Sequence, residues 1–218
     1  PGGPPAELPP VLSISIRMYT RPLPPVLLVT ALLLVGVLRP LTARAQTGRY
    51  LTRFGLTTLF SATPVVNIEA RNTKTSAVVD LSTGQVAVSL LMSDFQFERS
   101  LMQQHFNESY LETDQYPKAI FTGRLQDYQP GALQPGAKLT AIAKGELSMH
   151  GKLRQTSVPV WLELKEGRLI GTTRLVIAPA DYGIEIPLVV RDHIAKAVDV
   201  NITLICDPIT SPSPTATK

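Results

Sequence analysis

Residues 105–117 read HFNESYLETDQYP and bring together His105, Glu108, Glu112, Asp114, Tyr110 and Tyr116. His105 and Glu108 stand three apart, the spacing at which two side chains share one face of a helix. Imidazole and carboxylate there could begin a metal site. A site needs further ligands, however, and the other histidines are His150, before Gly151 in a turn-like HGK, and His193, in the charged RDH. Nothing in the sequence gathers three of them. Glu112 and Asp114 could act as paired carboxylates, but they flank the end of a helical pattern and read more simply as a solvated acidic face. No G-x-S-x-G, phosphate-binding loop, G-x-G-x-x-G or CxxC occurs. Asn107-Glu108-Ser109 and Asn201-Ile202-Thr203 match the glycosylation triplet, the second within a strand pattern where an acceptor loop is not expected.

The elements that must position these residues begin after a leader. Residues 1–17 are proline-rich and precede Met18, and are expected to lie upstream of the true start. From Met18 a short basic segment leads into the uncharged run Val26–Leu38, 13 residues long, and then into Ala43-Arg44-Ala45. A spanning helix needs about 20 residues, so 18–45 reads as a signal peptide cleaved near Ala45-Gln46. The protein is then expected in the periplasm or secreted, with no integral membrane segment in the mature chain. Most of the formal charge of +4 belongs to this leader, which carries Arg17, Arg21, Arg39 and Arg44 against Glu7. The remaining balance gives no basic surface for nucleic acid. The single cysteine, Cys206, cannot form an internal disulfide and reads as a small apolar filler. Residues 207–218, DPITSPSPTATK, read as a disordered tail.

Between leader and tail, period-two alternation dominates. Leu139, Ala141, Ala143, Gly145, Leu147 and Met149 alternate with a polar set broken by Ile142. Val158, Val160, Leu162 and Leu164 form a second apolar face, and Val198 to Cys206 a third. Noisier patterns run through 50–60, 77–80, 85–91, 118–126 and 168–178, separated by turn signals such as STG, QPGALQPG, HGK and EG. About eight antiparallel strands follow, as a sandwich or a closed barrel. The length of the strands favours closure, which removes exposed edges. The Ala- and Gly-rich face at 139–149 leaves room for one small ligand inside, unless those small residues only fit a barrel's taper. Leu101, Met102, His105 and Phe106 have helical spacing, and Tyr116-Pro117 is a stop, so one short helix near residues 98–112 is expected across a barrel mouth.

Three stretches in order, SDFQFERSLMQQHFNESYLETDQYPKAIFTG, GELSMHGKLRQTSVPVWLEL and DYGIEIP, resemble the YceI-like family of exported lipocalin-like proteins. The resemblance rests on Asp94–Phe97, on Tyr116, Pro117, Ala119, Phe121 and Gly123, and on Gly145, Leu147, His150, Gly151, Val158 and Val160. It spans roughly Arg49 to Ile205. It implies an all-β, eight-stranded antiparallel lipocalin-like barrel over residues 46–206 whose apolar cavity takes an isoprenoid, a quinone or another amphiphilic lipid, with no enzymatic chemistry and no cofactor. A homodimer is compatible with it.

The expected cavity residues are Phe54, Phe60, Val88, Phe95, Phe97, Phe106, Phe121, Ala141, Ala143, Leu147, Val160 and Leu162. Arg53, Arg99 and Arg124 are the expected contacts for a polar head. The alternative is a barrel filled by its own side chains that works as an interaction or stress-response module through its outer surface.

Overall fold

The computed structural model describes residues 46–210; the leader, and the tail from residue 211, lie outside the described residues. Among the described residues there are nine strands: β1 (Gln46–Ala62), β2 (Asn67–Asp80), β3 (Gln85–Leu91), β4 (Gln96–Phe97), β5 (Lys118–Leu125), β6 (Lys138–Met149), β7 (Lys152–Lys165), β8 (Arg168–Ile177) and β9 (Val198–Thr210). Hydrogen bonding runs β1-β9-β8-β7-β6-β5-β3-β2 and returns from β2 to β1, closing an eight-stranded antiparallel barrel. The two-residue β4 only extends the flank of β2, at Ala70 and Arg71. The helix expected near 98–112 is α1 (Ser100–Gln104), which continues as a π-helical turn over His105–Tyr110.

Turn chemistry explains two of the hairpins. β6 and β7 join through His150 (φ 49) and Gly151 (φ 68), and β7 and β8 through Glu166 (φ 52) and Gly167 (φ 76). Two positive-φ residues in a row match the twist of the flanking strands. The connections divide by end. The β1–β2 loop, the β6–β7 turn and the two long crossovers, 92–117 and 178–197, meet at one end, the mouth. The β2–β3 turn, the β7–β8 turn and the loop 126–137 close the other, where Leu133 is buried and Gly136 N–H donates to the Leu164 carbonyl at 2.6 Å.

β1 and β2 carry the irregularities. Thr52 pairs with Ala77 but Gly55 with Thr75, and Thr57 with Asn72, so each strand holds one extra residue in turn. A bulge shifts the phase of inward and outward side chains. On β1 the inward set is Tyr50 and Thr52 before the shift, then Gly55 and Thr57 after it. On β2 it changes from Ala70 and Asn72 to Thr75, Ala77 and Val79. This is why simple alternation finds only the last part of β2. The polar groups at the shift satisfy one another: the Thr57 and Thr75 hydroxyls lie 2.7 Å apart, Asn72 Nδ2 donates to the Leu91 carbonyl at 2.9 Å, and Asn72 Oδ1 accepts the Lys74 N–H at 2.8 Å.

The expected tail also needs correction at its start. β9 continues to Thr210, with Asp207 opposite Leu51 and Pro208 opposite Tyr50, and Asp207 accepts Arg168 Nε at 3.0 Å. Pairing with a neighbouring strand outweighs the composition of this short piece.

Asp80 organises the β2–β3 turn. Its Oδ1 accepts the Ser82 hydroxyl and the N–H groups of Ser82 (2.8 Å) and Thr83 (3.2 Å), while Oδ2 accepts Arg49 Nε at 2.9 Å. Led by the Ser82 hydroxyl, these donors hold its carboxyl down at about 2 against the opposing effect of burial. Asp80→Ala is therefore expected to cost about 1–3 kcal/mol, read by urea denaturation at neutral pH. The folded value lies below that of an unfolded aspartate, so this stabilisation is whole above about pH 4. It drains away as the pH falls towards 2. The gap between wild type and variant should close over that range.

Candidate functional site

The inward face of the strands encloses an apolar cavity of about 110 Å³ along the barrel axis. Six of the expected residues line it: Val88, Phe121, Ala143, Leu147, Val160 and Leu162. Ala141 is partly buried against the same core. The space is smaller than an alanine-rich face suggests, and Phe121 is one reason. Gly123 and Gly145 face each other across β5 and β6, and a Cβ on Gly123 would fall 2.7 Å from the Phe121 ring. The ring covers the glycine pair and takes up the room. Cys206 (1% exposed) also lines the cavity, and burial pushes its thiol up to about 12, with Asp207 adding to the effect. It is a wall residue rather than a nucleophile.

A larger apolar chamber, about 620 Å³, opens at the mouth. α1 and the π-helical turn form one side of it through Met102, His105, Phe106 and Tyr110. The opposite side comes from the second crossover, through Ile184, Ile186, Val190 and Ile194, and the β1–β2 loop adds Val65 and Val66. Phe97 and Phe106 lie with ring centroids 4.9 Å apart, and Phe95 (2% exposed) meets Phe106 at 5.7 Å in an edge-on arrangement. Aromatic pairs of this kind add to plain burial. No residue lines both chamber and cavity. The buried cluster around Phe95, Leu111, Leu147 and Ile184 shares members with each and stands between them.

Two expected ligand contacts lie elsewhere. Phe54 sits in the β1 bulge and is 84% exposed. Phe60 follows the phase shift and lines an outer groove with Glu69, Arg71 and Asn201. Both sit at positions whose direction the bulge reversed. Among the arginines, Arg99 lies at the chamber. Arg53 is exposed on the outer wall, and Arg124 donates to the Thr83 carbonyl at 2.8 Å at the closed end, far from the mouth.

The acidic and histidine-bearing stretch divides its labour. His105 lines the chamber and packs edge-on with Tyr110, whereas Glu108 is exposed and accepts Gln104 Nε2 at 3.0 Å. Glu112 departs from the solvated reading: its Oε2 lies 3.2 Å from His150 Nε2, while His150 Nδ1 lies 3.0 Å from the Tyr182 carbonyl oxygen. Tyr116 packs on the same imidazole at 4.4 Å. This cluster ties the first crossover to the β6–β7 turn and the second crossover. Glu112 and His150 are 38 positions apart, so no local spacing could have revealed the pair. His193 also lines the chamber. Sequence reasoning missed the contribution of the second crossover, for which the only signal was the apolar spacing in GIEIPLVV. Among the described residues, no three His, Cys, Asp or Glu side chains converge as a metal site would require, and no helix is long and apolar enough to cross a membrane.

Known structures share this architecture. A polyisoprenoid-binding domain from Saccharophagus degradans, implicated in plant cell wall breakdown, aligns with a TM-score of 0.65 at 16% identity, over 75% of this chain and 99% of that one. BcnA of Burkholderia cenocepacia aligns at 0.59 and 17% identity, over 69% and 95% of the two chains. A Campylobacter jejuni YceI protein aligns at 0.51 and 12%, over 69% and 90%. At these identities the likeness is one of fold. No curated protein sequence matches the chain significantly. The family model for the YceI-like domain matches residues 34–205, and the chain belongs to that family.

Proposed function

We propose that the protein binds one amphiphilic lipid of isoprenoid or quinone type and sequesters or carries it without covalent chemistry. The observation that carries this reading is the mouth chamber. Its volume of about 620 Å³ falls within the range of about 300–1,000 Å³ usual for small-molecule sites. Its wall is apolar apart from a few groups, chiefly Arg99, His105, His193 and Ser61. The bulk of the apolar chain would occupy the chamber, and the inner cavity, about 110 Å³, would take only a short apolar end of it. Burial of chain surface at roughly 25 cal/mol per Å² drives binding. Arg99 and the two histidines would hold the polar head at the rim. Fold similarity to a polyisoprenoid-binding domain supports the ligand class. The Val26–Leu38 run and Ala43-Arg44-Ala45 support export to the periplasm or medium.

The small size of the inner cavity favours the second reading, a filled barrel acting through its outer surface. Organic extraction of the purified mature protein, followed by mass spectrometry, separates the two. A stoichiometric prenyl lipid is expected, and a protein that is empty and takes up neither farnesol nor a short-chain ubiquinone would leave only the second reading.

Two variants locate the site. Ala143→Phe fills the inner cavity and should weaken farnesol binding at least about tenfold, at a stability cost of about 1–3 kcal/mol checked by thermal denaturation. Phe54→Ala, on the outer wall, should leave the affinity unchanged. Cys206 offers a third check. With its thiol held at about 12, the native protein should resist iodoacetamide at mildly alkaline pH, and the urea-unfolded chain should react fully. Equal rates in both states would place the thiol outside the wall.

A further inference from the structure

The barrel wall is not hydrogen-bonded along its full height. β7 and β8 pair from Lys165–Arg168 to Val160–Thr173, and the ladder stops there. Yet β7 begins at Lys152 and β8 runs on to Ile177. Pro159 stands at the end of the ladder. Its carbonyl points at β8 and accepts the Thr173 hydroxyl at 2.7 Å, but proline has no N–H to return. Beyond this point the two strands pair only with their outer neighbours, β6 and β9.

The result is a cleft of about 630 Å³ that runs from Pro159 up to the mouth rim. Four of its lining residues, Leu147, Thr156, Val158 and Leu175, also line the inner cavity. The mouth chamber shares none with that cavity. Side chains of one short turn, Pro179–Tyr182, span the top of the cleft. Arg154 Nη1 donates to the Asp181 carbonyl at 2.8 Å and lies 3.5 Å from its carboxylate. Arg154 and Asp181 are both about half exposed, and such pairs contribute little to stability. Exposed apolar residues flank the outside: Leu153 (62%), Trp161 (46%) and Val176 (63%).

Resting on the reading that the barrel houses an apolar chain, we propose that the β7–β8 cleft is the lateral entrance through which the hydrocarbon chain of the amphiphile reaches the inner cavity. A chain entering there breaks no backbone ladder. It displaces only the clasp between Arg154 and Asp181, while the head stays in water at the rim. Passage from the mouth chamber would instead require the packed cluster around Phe95 and Leu111 to part.

The test is kinetic and uses cis-parinaric acid, followed in stopped flow by energy transfer from Trp161, the only tryptophan in the chain, which borders the cleft. Pro159→Val restores a donor facing β8 and should slow association and dissociation by about fivefold or more, the rate equivalent of one net backbone hydrogen bond. Arg154→Ala removes the clasp and should speed both steps. In each variant the two rates change together, so the dissociation constant stays within about twofold. Unchanged rates in both variants, folded by circular dichroism, would overturn the lateral entrance and leave lipid binding standing. Wild-type protein that takes up neither parinaric acid nor farnesol would overturn the lipid-binding reading itself.

Discussion

Closure of the hydrogen-bonded ring is the constraint on which the rest of this structure depends. An eight-stranded sheet with open ends would expose two rows of unpaired backbone groups. Here β1 pairs with β2 on one side and β9 on the other, and no free edge is left between them. The strands have unequal lengths and must still meet around a ring, so the mismatch appears as local defects. It falls on the β1–β2 bulges and on the β7–β8 ladder that stops at Pro159. The bulges need polar side chains inside the wall, which accounts for Asn72, Thr57 and Thr75 being buried in an otherwise apolar lining. The stopped ladder leaves an opening. Both features follow from fitting one chain to a closed circuit.

Function in such a barrel depends on what its interior leaves empty. The paired glycines of β5 and β6 bring the two backbones close, and Phe121 fills the space a pair of side chains would have held. Farther up, Phe95, Phe97 and Phe106 turn the crossover segments into an aromatic partition below the mouth. Two apolar spaces result, a narrow one in the barrel and a wide one above it. The wide one carries charged and imidazole groups suited to a head, whereas the narrow one is apolar apart from Thr156, Thr172 and Thr173, an asymmetry that matches a molecule with one polar end.

Much of this architecture was legible from the residues themselves. β6, the later half of β7 and β9 alternate cleanly because each keeps one phase along its length. The inward set Ala143, Leu147 and Met149 follows directly, as does a helix around Leu101, Met102 and Phe106. What was not legible has a common physical origin. A bulge is invisible to a period-two count, which turns Phe54 and Phe60 inward and loses the first half of β2 in a polar stretch. Contacts made by distant loops are equally silent. His150, Glu112 and Tyr182 come from three separate connections, and only the folded ring brings them to one corner. Arg99 could not be separated from Arg53 and Arg124 by type, since what distinguishes them is where each lies on the barrel: at the mouth, on the outer wall and at the closed end.

The pairing of Gln46 with Thr210 has a consequence for how such a barrel can be attached to anything else. Both ends of the described domain leave side by side from the closed end, opposite the mouth and away from the rim of the β7–β8 cleft. A tether, a fused domain or a solid support joined at either end would hold the barrel by its base. The openings would then face outward like the spout of a vessel fixed at the foot, free to meet a membrane or a partner whichever end carries the anchor.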